Sequence, residues 1–231
     1  MTGLLKRRAA TREAASVAAA SEAALGDKRT RVVYMSAAWC LSYPTEELRE
    51  RVGLMRQALA EFPGAQAPFD PVLEALAGRP LADVQADYVQ EFDLSRRHAL
   101  HLSYWTDGDT RRRGDVLAGF KKAYRQYDVL VDTHGELPDY LPMVLEFAAT
   151  VDMAAGRELL IKFRPSLEML RLALVDAGLP QASILQALCD TLPGESPADR
   201  NAVMKMAGYG PPTESVGLEP YDPRLLPLKG V

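Results

Sequence analysis

The side chains with chemistry to offer are few and scattered. His98 and His101 stand three apart, a spacing that puts two imidazoles on one helix face as a metal site would need. No further ligand stands at motif spacing, and Arg96 and Arg97 beside them repel a cation, so the pair reads as solvated or partner-facing. Cys40 and Cys189 belong to no CxxC or Cys/His pattern and read as two buried small apolar groups in a reducing compartment. Arg111, Arg112 and Arg113 with Lys121 and Lys122 form an isolated basic stretch in an acidic chain, which suits a solvated helix face better than a nucleic-acid footprint. There is no glycine-rich phosphate loop, nucleophile elbow or carboxylate constellation at motif spacing. The expectation is a protein that is not an enzyme and has neither a metal nor a cofactor of its own. The alternative from another class is a helical metal-dependent enzyme using His98, His101 and nearby carboxylates.

What remains is a set of aromatic and acidic positions: Tyr88, Phe92, Asp93, Tyr104, Trp105, Asp107, Asp109, Glu136, Asp139, Tyr140 and Glu146. Aromatics in such positions can simply pack a core. Aromatics and carboxylates lining a groove would instead bind a basic, amphipathic peptide helix, and periodicity does not choose between the two. Glu146 stands out because it interrupts an apolar helical run in which Leu141, Val144, Leu145, Ala148 and Val151 share a face. Ahead of that run, Pro138 and Pro142 limit where the helix can begin, since proline fits only where its missing N–H had no partner. The best start has Asp139 as N-cap and Pro142 in the first turn, with Glu136 and Asp139 at the positive end of the helix dipole.

The elements that must position these residues are all helical. Thr45 can cap a helix with Glu46 and Glu47 in its first turn, after which Leu48, Val52, Met55, Leu59 and Phe62 step by four and three. Val72, Leu73 and Leu76 form a short helix, and Leu81, Val84, Tyr88 and Phe92 share the face of another. Asp109 or Thr110 can cap a helix carrying Val116, Leu117, Phe120, Tyr124 and Tyr127. Pro165 opens a helix with Leu167, Leu170 and Leu174 that stops at Gly178, and Ile184, Leu185, Leu188 and Leu192 make the next. No alternating apolar/polar run of useful length occurs, so the expected fold is an all-α, single-domain helical bundle.

The 231 residues are 48% hydrophobic and 25% charged, ordinary for a soluble globular domain, and no stretch approaches a membrane span. Of 27 basic and 31 acidic groups, seven and three fall in residues 1–31, which leaves the body 20 basic and 28 acidic. An acidic body disfavours nucleic acid and suits a basic partner. Residues 1–28 lack the apolar segment of a secretory signal and read as a basic, alanine-rich, disordered tail. The helical domain is expected over 29–207, and 208–231 form a proline-rich tail. The chain is compatible with a monomer or a dimer.

Three motifs in order carry a family resemblance: Tyr88-x-x-x-Phe92-Asp93; Asp107-Gly108-Asp109-Thr110-Arg111-x-Arg113-Gly114; and Glu136-Leu137-Pro138-Asp139-Tyr140-Leu141-Pro142 with Leu145-Glu146-Phe147. The sequence resembles the NarJ-type nitrate reductase assembly chaperones, within the wider group of molybdoenzyme chaperones that includes TorD and DmsD. The resemblance is strongest over about residues 87–150 and extends over about residues 32–207. It implies an all-helical cytoplasmic chaperone of the TorD/NarJ type that binds the N-terminal peptide of the apo catalytic (alpha) subunit of respiratory nitrate reductase. Such a protein keeps its client competent for molybdenum cofactor and iron–sulfur cluster insertion before membrane attachment, and can meet molybdenum cofactor biosynthesis proteins. The runner-up keeps the role and changes the client to another respiratory molybdoenzyme. Carried over by position, Tyr88, Phe92, Asp93, Arg113, Glu136, Asp139 and Glu146 become candidate peptide contacts, joined by the neighbouring Tyr104, Trp105 and Tyr140. Gly114, Pro138 and Pro142 become structural members of the motifs. Glu91 departs from the pattern, standing where relatives often carry an apolar residue, and puts that turn toward solvent or peptide.

Overall fold

A computed structural model describes residues 23–108, 112–127 and 135–208. Within them the chain runs from helix to helix. Residues 23–40 are helical (α1), so residues 23–28, assigned by composition to the tail, belong to this helix. There follow α2 (Glu46–Glu50), α3 (Val52–Ala60), α4 (Asp70–Gly78) and α5 (Leu81–Tyr88). A π-helical turn, Val89–Asp93, continues α5 without a break, and a 3₁₀ turn, Arg96–His98, leads to α6 (Leu102–Asp107). The remainder is α7 (Arg112–Arg125), α8 (Leu141–Thr150), α9 (Met153–Lys162), α10 (Arg164–Asp176), α11 (Gln181–Cys189) and α12 (Arg200–Met206). Among the described residues the one β-type pairing is an isolated bridge between His101 and Tyr140. No helix among them is long and apolar enough to cross a membrane.

Local chemistry accounts for most of the boundaries. The Thr45 hydroxyl accepts the Leu48 N–H at the start of α2, as its type and position predict. The stripe Leu48, Val52, Met55, Leu59 and Phe62 is buried throughout, although the helix breaks at Arg51 into α2 and α3. Pro165 sits in the first turn of α10. That helix ends in a Schellman pattern, with Gly178 at φ 66°, the Gly178 N–H on the Val175 carbonyl and the Leu179 N–H on the Leu174 carbonyl. Two apolar residues depart from the expected stripes. Helix α8 ends at Thr150 and α7 at Arg125, so Val151 and Tyr127 fall past the last turns and are 40% and 41% exposed. The expected cap at Asp109 or Thr110 lies outside the described residues.

Helix α10 is the central element, packing against α6, α9, α11 and α12. Leu167, Leu170 and Leu174 are buried on it, and Phe163 just ahead of it stacks on Phe120 of α7 at 4.8 Å between centroids. Its first half also carries a buried ionic knot. Glu168 has no exposed surface and is bonded by Arg171 Nε (2.7 Å), Arg164 Nη2 (3.4 Å) and the Ser196 hydroxyl (2.8 Å). The same arginines donate to the carbonyls of Pro193, Gly194 and Pro197, which fastens the segment leading into α12.

Candidate functional site

The helices bring the first and third sequence motifs to one corner, with Arg113 of the second beneath them. On α5 and the π turn, Tyr88 and Phe92 are buried with ring centroids 5.0 Å apart. The π turn carries the Leu94 N–H to the Val89 carbonyl at 2.9 Å and leaves Asp93 exposed just beyond Phe92. From the other motif, Tyr140 meets Tyr88 hydroxyl to hydroxyl at 3.0 Å, while the Tyr88 hydroxyl donates to the Leu41 carbonyl at 3.2 Å. Burial pushes both phenols above their ordinary range, so they remain neutral hydrogen-bonding groups. Tyr43 joins edge-on to Tyr88 at 5.6 Å and is 43% exposed. Its position between Ser42 and Pro44 reads in sequence only as a helix stop, so nothing marked it as part of a site.

Two carboxylates rim these tyrosines. Glu136 is half exposed and lies 3.3 Å from Nε2 of His101, whose ring packs on Tyr140 at 5.6 Å. Partial loss of water, with the neighbouring Glu136 charge as a second cause, holds the Asp93 carboxyl above the usual Asp range.

Asp139 behaves differently from the sequence expectation. It is not the N-cap of α8; Tyr140 takes that place, without a side-chain bond, and Pro142 lies in the first turn as expected. The bridge to His101 gives the Leu141 N–H to the Leu100 carbonyl (2.8 Å), and Pro142 has no N–H to satisfy. With two early donors of α8 accounted for, Asp139 caps another helix. Its carboxylate accepts the Ser103 N–H at 3.0 Å and the Ser103 hydroxyl at 2.5 Å, at the start of α6, which His101 leaves without a side-chain cap. Asp139 has no exposed surface, and Arg113 stands 3.8 Å from it while its Nε donates to the Ser103 hydroxyl. Tyr124 donates to the Pro138 carbonyl at 2.8 Å and fixes the same turn from α7. Asp139, Arg113 and Pro138 therefore hold the corner from within.

The other candidates lie elsewhere. Trp105 donates to the Ala99 carbonyl at 2.9 Å, and Tyr104 faces the Arg113 guanidinium at 5.9 Å. Both line a second cleft of about 810 Å³ together with Arg96, Arg97 and Arg200. Glu146 is exposed on α8, between buried Leu145 and Phe147. Gly114 is exposed on α7, with open space where a Cβ would stand. His98 is buried, 5% exposed, and not solvated as its neighbours suggest; its Nδ1 lies 3.2 Å from both the carboxylate and the carbonyl of Glu91. His98 and His101 face different carboxylates, and among the described residues no three metal-ligating side chains converge. Cys40 is buried, and desolvation raises its thiol to about 12.

Residues 46–168 match the profile of the family described as nitrate reductase delta subunit. The nitrate reductase-like protein NarX of Mycobacterium tuberculosis is 41% identical over 168 residues, 69% of this chain. The chain spans only 24% of that relative's length. The probable nitrate reductase molybdenum cofactor assembly chaperone NarJ of Bacillus subtilis is 34% identical over 146 residues, covering 58% of this chain and 73% of the relative. NarJ of Escherichia coli, a nitrate reductase molybdenum cofactor assembly chaperone, is 33% identical over 88 residues, 38% of this chain and 37% of its own.

Proposed function

The chain belongs to the nitrate reductase delta subunit family, and on that premise we propose that it is a dedicated assembly chaperone, not a catalyst, for a respiratory nitrate reductase. It works in the cytoplasm on the apo catalytic subunit, which it binds through that subunit's N-terminal peptide. It keeps the client open to molybdenum cofactor and iron–sulfur cluster insertion and delays membrane attachment. A holding factor needs only a higher affinity for the immature client than for the finished one.

The observation that supports this reading is the meeting of the first and third motifs, Tyr88 hydroxyl to Tyr140 hydroxyl at 3.0 Å, with Asp93 and Glu136 exposed in the same two motifs. A basic side chain of the client peptide fits there, and the surrounding body has an excess of acidic groups that attracts it. Asp139, Arg113 and Pro138 preorganise the corner, which limits the entropy lost on binding.

The test is copurification with the apo catalytic subunit and calorimetry with a synthetic peptide of its N-terminus. Glu136→Gln is expected to keep the fold by circular dichroism and to weaken the peptide by roughly tenfold, as loss of a charge-assisted contact predicts. A client that is not retained, together with a peptide that gives no heat, overturns the reading.

A further inference from the structure

Tyr104 and Trp105 line a cleft of about 810 Å³ walled by the 3₁₀ turn, α6, the end of α10 and the first residue of α12. That volume lies within the range of ligand sites. Three guanidinium groups, of Arg96, Arg97 and Arg200, meet two carboxylates, of Glu91 and Asp176, so the cleft is net positive even with His98 neutral. Both carboxylates are engaged. Glu91 lies 3.2 Å from Nδ1 of His98, and Asp176 accepts from Arg200 at 2.9 Å. Arg96 and Arg97 are exposed on the turn. The sign is opposite to that of the chain as a whole, which holds 31 acidic groups against 27 basic, so carboxylates are drawn to this one place.

The same chain supplies a segment of the matching sign. Helix α12 ends at Met206, and Gly208, with φ 77° and its N–H on the Lys205 carbonyl, closes it. Beyond, residues 209–223 hold Glu214, Glu219 and Asp222 and no basic residue. Pro211, Pro212, Pro220 and Pro223 reduce the chain entropy that docking costs, and Tyr221 offers a ring to Tyr104 and Trp105. The reach suffices. Helix α12 carries the chain only about 10 Å from Arg200 at the cleft. The six residues from Gly208 to Glu214 span up to about 20 Å.

We propose that residues 209–223 dock on this cleft of their own chain, with carboxylates against Arg96 and Arg97 and Tyr221 against Trp105. Exposed ion pairs are individually weak, but a short tether gives an effective concentration of roughly millimolar, at which weak contacts suffice. The contact is salt-sensitive, because the screening length falls from about 10 Å at 0.1 M to about 3 Å at 1 M. The docked segment covers Trp105 and closes the cleft to other ligands.

Trp105 fluorescence in the full chain tests this, with Trp105→Phe separating its signal from that of Trp39. Acrylamide quenching of Trp105 is expected to be low in dilute salt and to rise in concentrated salt. Glu214→Lys, Glu219→Lys and Asp222→Lys together are expected to raise the quenching constant about twofold in dilute salt, as is Arg97→Glu alone. Joining Arg97→Glu to the reversed tail is expected to restore part of the protection. The tail variant alters no residue of α1 to α12, so it decides the matter even if Arg97→Glu does not fold. Unchanged quenching in the tail variant, or the absence of rescue in a folded combined variant, overturns the docking. Protection that disappears on dilution overturns it too, since the tail then belongs to a second copy.

Discussion

Asp139 and Asp93 are carboxylates of the third and first motifs, one buried and one exposed, and single substitutions separate them. Asp139 has no exposed surface and holds the first turn of α6 through Ser103, with Arg113 close by. Asp139→Ala leaves the Ser103 N–H and hydroxyl without their buried acceptor, at an expected cost of roughly 1–3 kcal/mol in urea unfolding. Any loss of peptide affinity in that variant should follow the loss of folded protein. Asp93 is exposed and, on the proposed reading, faces the peptide. Its raised pKa comes first from desolvation and then from Glu136, so its charged form is the disfavoured one in the folded chain. Ionised Asp93 thus detracts from stability, and relief arrives as pH falls through the raised folded value and is complete below the ordinary Asp value of about 3.9. A peptide cation between Asp93 and Glu136 reverses the preference. Binding should pull the Asp93 pKa down and release protons, and affinity should fall on acidification from above the normal Asp range. Calorimetry in buffers of different ionisation enthalpy, with a carboxyl NMR titration of Asp93, checks both signs.

At the scale of elements, two glycines in helices give opposite expectations for the same substitution. A Cβ on Gly156 of α9 would stand 2.3 Å from the Cβ of Ala148 and 2.4 Å from its Cα, so α8 and α9 meet backbone to backbone there. Gly156→Ala must push that hairpin apart, with an expected loss of about 1–3 kcal/mol and a lower Tm. Gly114 of α7 has nothing within 4 Å of the added carbon. Gly114→Ala is expected to be neutral or to stabilise by up to about 1 kcal/mol, since alanine is the better helix former. If Gly114→Ala instead lowers peptide affinity in a fully folded chain, the exposed face of α7 belongs to the binding surface. Helix positions were largely legible in the sequence, because caps, prolines and apolar stripes are local signals. The π turn at Val89–Asp93 and the break at Arg51 were not, since neither is marked by a proline, glycine or capping residue in the sequence.

Across the whole molecule, the Arg164–Glu168–Arg171 knot ties the segment after α11 to the central helix. Removing Glu168 strands two buried guanidinium groups. Glu168→Ala is expected to cost roughly 3–5 kcal/mol, and hydrogen exchange should rise first in 193–197 and α12. No spacing rule announces this knot, since Glu168 sits at an ordinary helical position and its partners at Ser196 and Pro193 to Pro197 come from a distant loop. What the sequence determined by itself was the all-helical class, the core stripes, the place of Pro142 in the first turn of α8 and the family, because each depends on residue type and order along one segment. Only the tertiary structure decided that Asp139 caps α6 and not its own helix, that His98 is buried, that Tyr43 joins the corner, and that Tyr104 and Trp105 line a different cleft. Those outcomes depend on which groups from separate helices meet and on which donors are already satisfied. The pairing of His101 with Tyr140 across 39 positions settles the first of them.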